Sequence, residues 1–177
     1  MTRSPYSRAP LSVFVGGIAV VVPYRTAADW VDAVEESRLP IVALEWAGDG
    51  RQELLTALAR GTVDRDAVQE ASRSLLLEAV PRPDRSWWIS SRLLSLSARA
   101  DVAGHLTLEG VDPHTITPAQ LCSAVYALFT RGMDAKDRYK FEAPLSAPPA
   151  GIEDDVEWGQ MTVEEMAAQA RSTPGMR

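Results

Sequence analysis

The chain has 177 residues, a formal net charge of −6, 46% hydrophobic residues and one cysteine. This length and hydrophobic fraction are typical of one ordinary globular domain, and a single cysteine excludes an internal disulfide. An acidic chain without a basic stripe argues against nucleic acid as a partner, and the absence of a run of about 18 apolar residues argues against a membrane span.

The acidic charge is concentrated at the end of the chain. Residues 144–177 hold six acidic and two basic residues, which gives a net charge of −4 and leaves −2 for the remainder. Residues 1–10 are rich in arginine, serine and proline and predict a loose N-terminal arm. No clear signal-peptide cleavage site follows the first apolar segment, and a lone cysteine fits a reducing compartment, so we expect a cytoplasmic protein. The domain is predicted to span residues 11–143.

A small β-hairpin opens the predicted domain. Runs of β-branched residues at 12–15 and 18–22 flank Gly16 and Gly17. Because glycine readily adopts positive φ, a Gly-Gly pair favours the two-residue turn of a tight hairpin.

The first predicted helix follows the hairpin. Thr26 and Asp29 form a capping-box pattern, which predicts a helix that ends near Arg38, just ahead of Pro40. Residues 40–47 are compatible with either a helical turn or a buried strand, and the pattern leaves both open.

The remaining helices are each bounded by a capping residue, a glycine or a proline. They are predicted at residues 51–60, from Thr62 or Asp64 to about Val80, from a cap at Asp84 to a break at residues 99–104, in a short continuation through Leu108, from Pro118 to Thr130 behind the cap Thr117, and from Asp134 through Glu142. Together these elements predict a mainly α domain of about six helices with an N-terminal hairpin.

The end of the chain is predicted to lie outside this domain. Three prolines within residues 144–151 predict an extended linker, and the acidic residues beyond it predict a flexible tail. Within that tail, Thr162 and Glu165 form a second capping-box pattern, which predicts a short helix at residues 163–171.

No reaction centre is evident in the sequence. His105 and His114 lack the cysteine or carboxylate partners of a metal motif, and the serines at 90, 91, 95 and 97 lack the pattern of an activated nucleophile. Cys122 lies on an apolar helix face and is expected to be buried. We therefore predict a protein that is not an enzyme and that has no metal site and no cofactor.

The tryptophans are the strongest candidates for a binding role. Trp87 and Trp88 are adjacent, so on a helix their side chains point about 100° apart and only one is expected to anchor the core. The other would lie at a groove or contact surface. The alternative, which is the commoner arrangement, is that neighbouring helices or the hairpin cover both rings. Trp158 stands among acidic residues, a setting typical of a segment that docks on a partner.

A family likeness is carried by the helix with Trp87 and Trp88, the corner at residues 110–113 and the helix at residues 122–130. In these stretches the chain resembles a family of small proteins from tailed phages and prophages of actinobacteria. Its members are usually labelled tail assembly chaperones. The likeness includes the N-terminal hairpin and the helix behind it, and spans about residues 11–151.

This resemblance implies a helical, non-enzymatic protein that binds the tape-measure protein and shields its long hydrophobic helices while tube subunits polymerise. The family pattern fixes no binding residue, and the expected partner contacts, chosen from the residues themselves, are Trp87 or Trp88 on the helix and Trp158 in the tail. The alternative is a structural virion protein of the neck or tail that remains in the particle. Whether the chain forms a homo-oligomer stays open.

Overall fold

A computed structural model describes residue 4, residues 6–82 and residues 86–150, and in these the chain forms a two-stranded hairpin followed by eight α-helices. The strands are β1 (Leu11–Val15) and β2 (Ile18–Val22), and the helices are α1 (Ala27–Glu35), α2 (Val42–Glu45), α3 (Arg51–Ala59), α4 (Arg65–Ala79), α5 (Trp87–Ala98), α6 (Ala100–Leu108), α7 (Pro118–Thr130) and α8 (Ala135–Ser146). The mainly helical fold with an N-terminal hairpin confirms the prediction, although the helices number eight rather than about six.

The hairpin forms around the predicted glycine turn. Gly16 and Gly17 have φ of 55° and 86°, values that favour glycine, and the strands pair antiparallel with Val13 opposite Val20. One face of β1 is buried and packs against α4, whereas Phe14 on the other face is exposed. The strand therefore adds an apolar face to the helical core.

Helix α5 lies at the centre of the described domain, in contact with α1, α4, α6, α7 and α8. On α1, Trp30 is completely buried, and its ring meets the ring of Trp46 edge-on at a centroid distance of 4.8 Å. This edge-to-face geometry is one that aromatic rings prefer in a core.

Several helix starts are confirmed in atomic detail. The Thr26 side chain accepts from the backbone N–H of Asp29, while the Asp29 carboxylate accepts from the backbone N–H of Thr26, so the capping box is complete. Asp64, rather than Thr62, caps α4. The predicted cap Asp84 lies outside the described residues, and Ser86 holds the position before α5.

The stretch between α1 and α3 is helical. Helix α1 ends at Glu35, earlier than predicted, because Ser37 turns the chain with a φ of 57°. A 3₁₀ turn at Leu39–Ile41 then leads into α2, so the alternative of a buried strand at residues 40–47 is wrong. The predicted break at residues 99–104 is confined to Arg99, which takes an extended ψ of 134°, and α6 begins directly after it.

The end of the described body differs from the prediction. Helix α8 continues through Pro144 to Ser146, so the predicted boundary at residue 143 is wrong and the first three residues of the predicted linker belong to a helix. The cause is tertiary contact, since Trp88 and Arg92 of α5 donate hydrogen bonds to the carbonyl oxygens of residues 144–146. Residues 151–177, which hold the predicted helix at 163–171, lie outside the described residues.

Arg8 attaches the N-terminal arm to the domain. The guanidinium of Arg8 lies 5.8 Å from the ring centroid of Tyr24 and donates to the carbonyl oxygen of Thr115. At Arg8 the arm is therefore bound to the domain, whereas the sequence predicts a loose arm over residues 1–10. Within the described part of the chain, no helix is both long and apolar enough to cross a membrane.

Candidate functional site

Trp87 and Trp88 lie at the start of α5, and both are half-buried against the core. Their rings meet edge-on with centroids 6.1 Å apart. The guanidinium of Arg73 on α4 lies 5.0 Å from the centroid of the Trp87 ring, which is a cation–π contact. Each ring thus has a covered part and an accessible part. The structure therefore matches neither sequence-based alternative fully, since it neither places one ring alone in the core nor covers both rings.

Trp88 holds the end of another helix. Its indole Nε1 donates to the carbonyl oxygen of Ser146 at 3.0 Å. One turn further along α5, Nη1 of Arg92 donates to the carbonyl oxygens of Pro144 and Leu145 at 2.9 and 2.8 Å. The last carbonyls of a helix have no partner within it, so Trp88 and Arg92 together satisfy part of the C-terminal turn of α8.

An aromatic strip on α7 contacts the middle of α8. Phe129 stacks on Phe141 with centroids 5.1 Å apart and ring planes 10° from parallel, and Tyr126 lies 6.2 Å from the same ring. The Tyr126 hydroxyl also donates to the Glu142 carboxylate. This hydrogen bond, together with burial and the negative charge of Glu142, raises the pKa of Tyr126.

These four side chains form one surface, which we call the helix clamp: Trp88 and Arg92 on α5, and Tyr126 and Phe129 on α7. Helices α5 and α7 pack directly against each other, so the clamp stands on two elements of the core. Its chemistry combines hydrogen-bond donors for helix carbonyls, a hydroxyl for a carboxylate and a flat ring for an aromatic side chain. In the structure this surface holds α8.

An open groove lies on another face, between α2, α3 and the start of α4. It encloses about 910 Å³, and its apolar lining includes Leu44, Leu58 and Val68. Ile41 at its edge is 43% exposed. A smaller groove of about 470 Å³ lies between α6 and α7 and is lined by Leu106, Leu128 and their neighbours. Trp87 and Trp88 line neither groove.

Both histidines of the chain are exposed. His105 is exposed at the rim of the α6–α7 groove, and His114 is exposed in the loop before α7. Among residue 4 and the ranges 6–82 and 86–150, no three His, Cys, Asp or Glu side chains are grouped as a metal ion would require.

Cys122 and the α5 serines have structural surroundings. Cys122 is buried on α7, its Sγ lies 3.7 Å from the carbonyl oxygen of Ser90, and burial raises its pKa to about 12. Ser97 donates to the carbonyl oxygen of Leu94, and Ser95 donates to the Glu35 carboxylate. The Ser95–Glu35 contact pairs a hydroxyl with a carboxylate between α5 and α1, and Ser97 bonds within its own helix.

Sequence reasoning identified one of the four clamp residues. The sequence indicates Trp88 through its aromatic side chain. Trp158, which is predicted as a contact in the tail, lies outside the described residues. Arg92, Tyr126 and Phe129 were missed, because each acquires its role from the distant helix α8. One usable signal was present: Phe141 and Leu145 are four residues apart and therefore share a helix face.

Comparison with protein-family models, with curated proteins and with solved structures found no match to this chain.

Proposed function

We propose that this chain is a non-enzymatic assembly chaperone or adaptor that binds a helix of a protein partner. The observation that carries the proposal is the helix clamp, through which the body holds α8 by its last turn and one aromatic side chain. Binding of an amphipathic helix through anchors spaced four residues apart is a recurrent mode of protein recognition.

The expected partner is the tape-measure protein of a phage tail, and the expected place of action is the host cytoplasm. This choice rests on the resemblance to tail assembly chaperones. It is supported by the mainly helical fold and by the net charge of −6, which opposes aggregation of a complex that carries hydrophobic helices. No enzyme activity, metal or cofactor is part of the proposal.

Co-expression with a long helical tape-measure protein tests this function. We expect the partner to remain in solution and to co-purify with the wild-type chain, and to precipitate without it. Arg92→Ala is made together with Phe141→Ala and Leu145→Ala, so that α8 itself is weakened; the lost hydrogen bonds to helix carbonyls should then reduce the co-purified amount relative to the Phe141→Ala/Leu145→Ala variant. Tyr139→Ala, at a 71% exposed position on α8, is the control and should leave the amount unchanged. A partner that stays in solution equally well without the chain contradicts the proposal.

Purified particles separate the chaperone from the alternative structural protein. A chaperone leaves before the particle is complete, so mass spectrometry of purified particles should not detect the chain. Its presence in stoichiometric amounts would instead support a structural protein of the neck or tail.

A further inference from the structure

Helix α8 is attached to the body through its C-terminal half alone. Residues 135–140 are all exposed, Phe141 and Glu142 are half-buried, and Leu145 is the one buried residue of the helix. A helix that belongs permanently to a core normally presents an apolar stripe along its whole length. The contacts of α8 are instead concentrated in about two turns.

The last turn of α8 depends on the body for its hydrogen bonds. Pro144 lies inside the helix and has no N–H to donate to the carbonyl of Lys140, which weakens the helix at this point. The carbonyls of residues 144, 145 and 146 accept from Arg92 and Trp88. The helix end is therefore shaped by the clamp as much as by its own sequence.

A short connection joins α8 to α7. Four residues, 131–134, join the two helices, and Gly132 among them takes a φ of 76°. Between the two helices, the polar link is the hydrogen bond from Tyr126 to Glu142, and the apolar link is the stack of Phe141 on Phe129. Both links are contacts that a helix from another molecule can reproduce.

We propose that the helix clamp is the partner-binding surface, that α8 is its resident occupant, and that a partner helix binds by displacing α8. This inference rests on the proposed function and goes beyond it, since it assigns the binding surface, the pattern of the ligand and the segment that must leave. The structure itself supplies the evidence that the surface accepts a helix, because α8 is seated there.

The seated helix defines the chemistry of the partner. The partner helix has an aromatic residue at position i to stack on Phe129, a carboxylate at i+1 to accept from Tyr126, and an aliphatic residue at i+4 in the place of Leu145. It ends one residue later, so that its free carbonyls reach Arg92 and Trp88. The larger groove between α2, α3 and α4 defines no such ligand, because nothing in the structure shows what covers it.

A labelled peptide with the sequence of residues 134–150 tests the inference against the full-length chain. In the wild type, the attached α8 competes with the peptide, and binding should be weak. The release variant Phe141→Ala/Leu145→Ala weakens the attached helix and leaves the clamp intact. We expect it to bind the peptide at least about tenfold more tightly than the wild type, as measured by fluorescence anisotropy.

Two controls fix the interpretation. Tyr139→Ala changes an exposed aromatic residue of the same helix and should leave the peptide affinity at the wild-type level. Arg92→Ala added to the release variant should lower the affinity again by about tenfold, because two hydrogen bonds to carbonyls are lost. Circular dichroism of each variant reports whether the body stays folded.

Equal peptide binding by a folded release variant and the wild type would overturn the inference. If the release variant does not fold, hydrogen exchange of the unmodified chain provides the test. Amides of α8 that exchange well before those of α5 and α7 support a detachable helix, and amides that exchange only with global unfolding overturn it.

These outcomes are distinct from failure of the proposed function. If the peptide binds but the chain has no effect on a tape-measure protein, the clamp is still a helix-binding surface, and the tape-measure protein is not its ligand. If the chain keeps a tape-measure protein in solution but does not bind the peptide, the proposed function stands and the binding site lies elsewhere on the chain.

Discussion

Cys122 shows how burial determines the chemistry of a single side chain. Its pKa is raised from an ordinary value of 9.0 to about 12, chiefly by loss of contact with water. Because the thiolate is the reactive form, we expect a thiol reagent at about pH 8 to label the folded chain at least about a hundredfold more slowly than the chain in guanidinium chloride. Equal rates would contradict the buried position of this thiol.

The same raised pKa predicts how stability depends on pH. The unfolded thiol loses its proton at a lower pH than the folded one, so the contribution of Cys122 is complete below pH 9 and is lost as the pH rises towards 12. Relative to Cys122→Ala, the wild type should lose more of its free energy of unfolding between about pH 8 and 10.5. Parallel pH curves for the two proteins, measured by denaturation in urea, would show that the thiol does not contribute.

Ser72 joins two elements through one hydroxyl. Its Oγ accepts from the backbone N–H of Ala43 at 3.0 Å and lies 2.8 Å from the carbonyl oxygen of Val68, in a completely buried position. Ser72→Ala leaves the N–H of Ala43 without this partner and should lower the free energy of unfolding by about 1–3 kcal/mol. Ser74→Ala, at a half-buried position of the same helix, is the control and should change it by less than about 0.5 kcal/mol.

At the scale of elements, the hairpin turn offers a matched pair of glycines. Both have positive φ, but a Cβ on Gly16 would lie 2.6 Å from a methyl group of Val63, whereas a Cβ on Gly17 meets no atom within 4 Å. Both alanine substitutions should destabilise the chain through backbone strain, and Gly16→Ala by about 1 kcal/mol more, because of the clash with Val63. Equal losses in urea denaturation would mean that Val63 moves aside at no cost.

The elements that could be predicted are those specified by local signals. Gly16 and Gly17 defined the turn, and the capping box at Thr26 and the cap at Thr117 with Pro118 defined helix starts, because each acts within a few residues of itself. The end of α8 could not be predicted. Pro144 locally opposes helix, and the contacts that compensate come from Arg92, 52 residues earlier in the chain.

The candidate site was predictable to a smaller degree than the fold. An aromatic residue at position 88 was identified as a contact, but the sequence contained no sign that its indole would cap another helix. Tyr126 and Phe129 follow the apolar periodicity of α7 and are indistinguishable from core residues until α8 is placed beside them. Sites assembled from distant elements therefore escape reasoning based on local pattern.

At the scale of the whole molecule, the described body is a core built around α5 with one weakly attached helix at its end. Trp30, Leu94 and Leu121 are buried at 0% exposure, whereas α8 contributes Leu145 alone to the buried set. Elements with few buried contacts open at lower free energy than the core, and surfaces that bind partners are often drawn from such regions. The division between a stable core and a detachable helix is the physical basis of the proposed function.

Hydrogen exchange of the chain with and without its co-purified helical partner tests this account most directly. If the partner takes the place of α8 on the helix clamp, the amides of residues 141–146 should exchange faster in the complex, while those of α5 and α7 keep their protection or gain more. Slower or unchanged exchange at residues 141–146 in the complex would contradict displacement, and with it the central claim that this protein binds its partner by exchanging one helix for another.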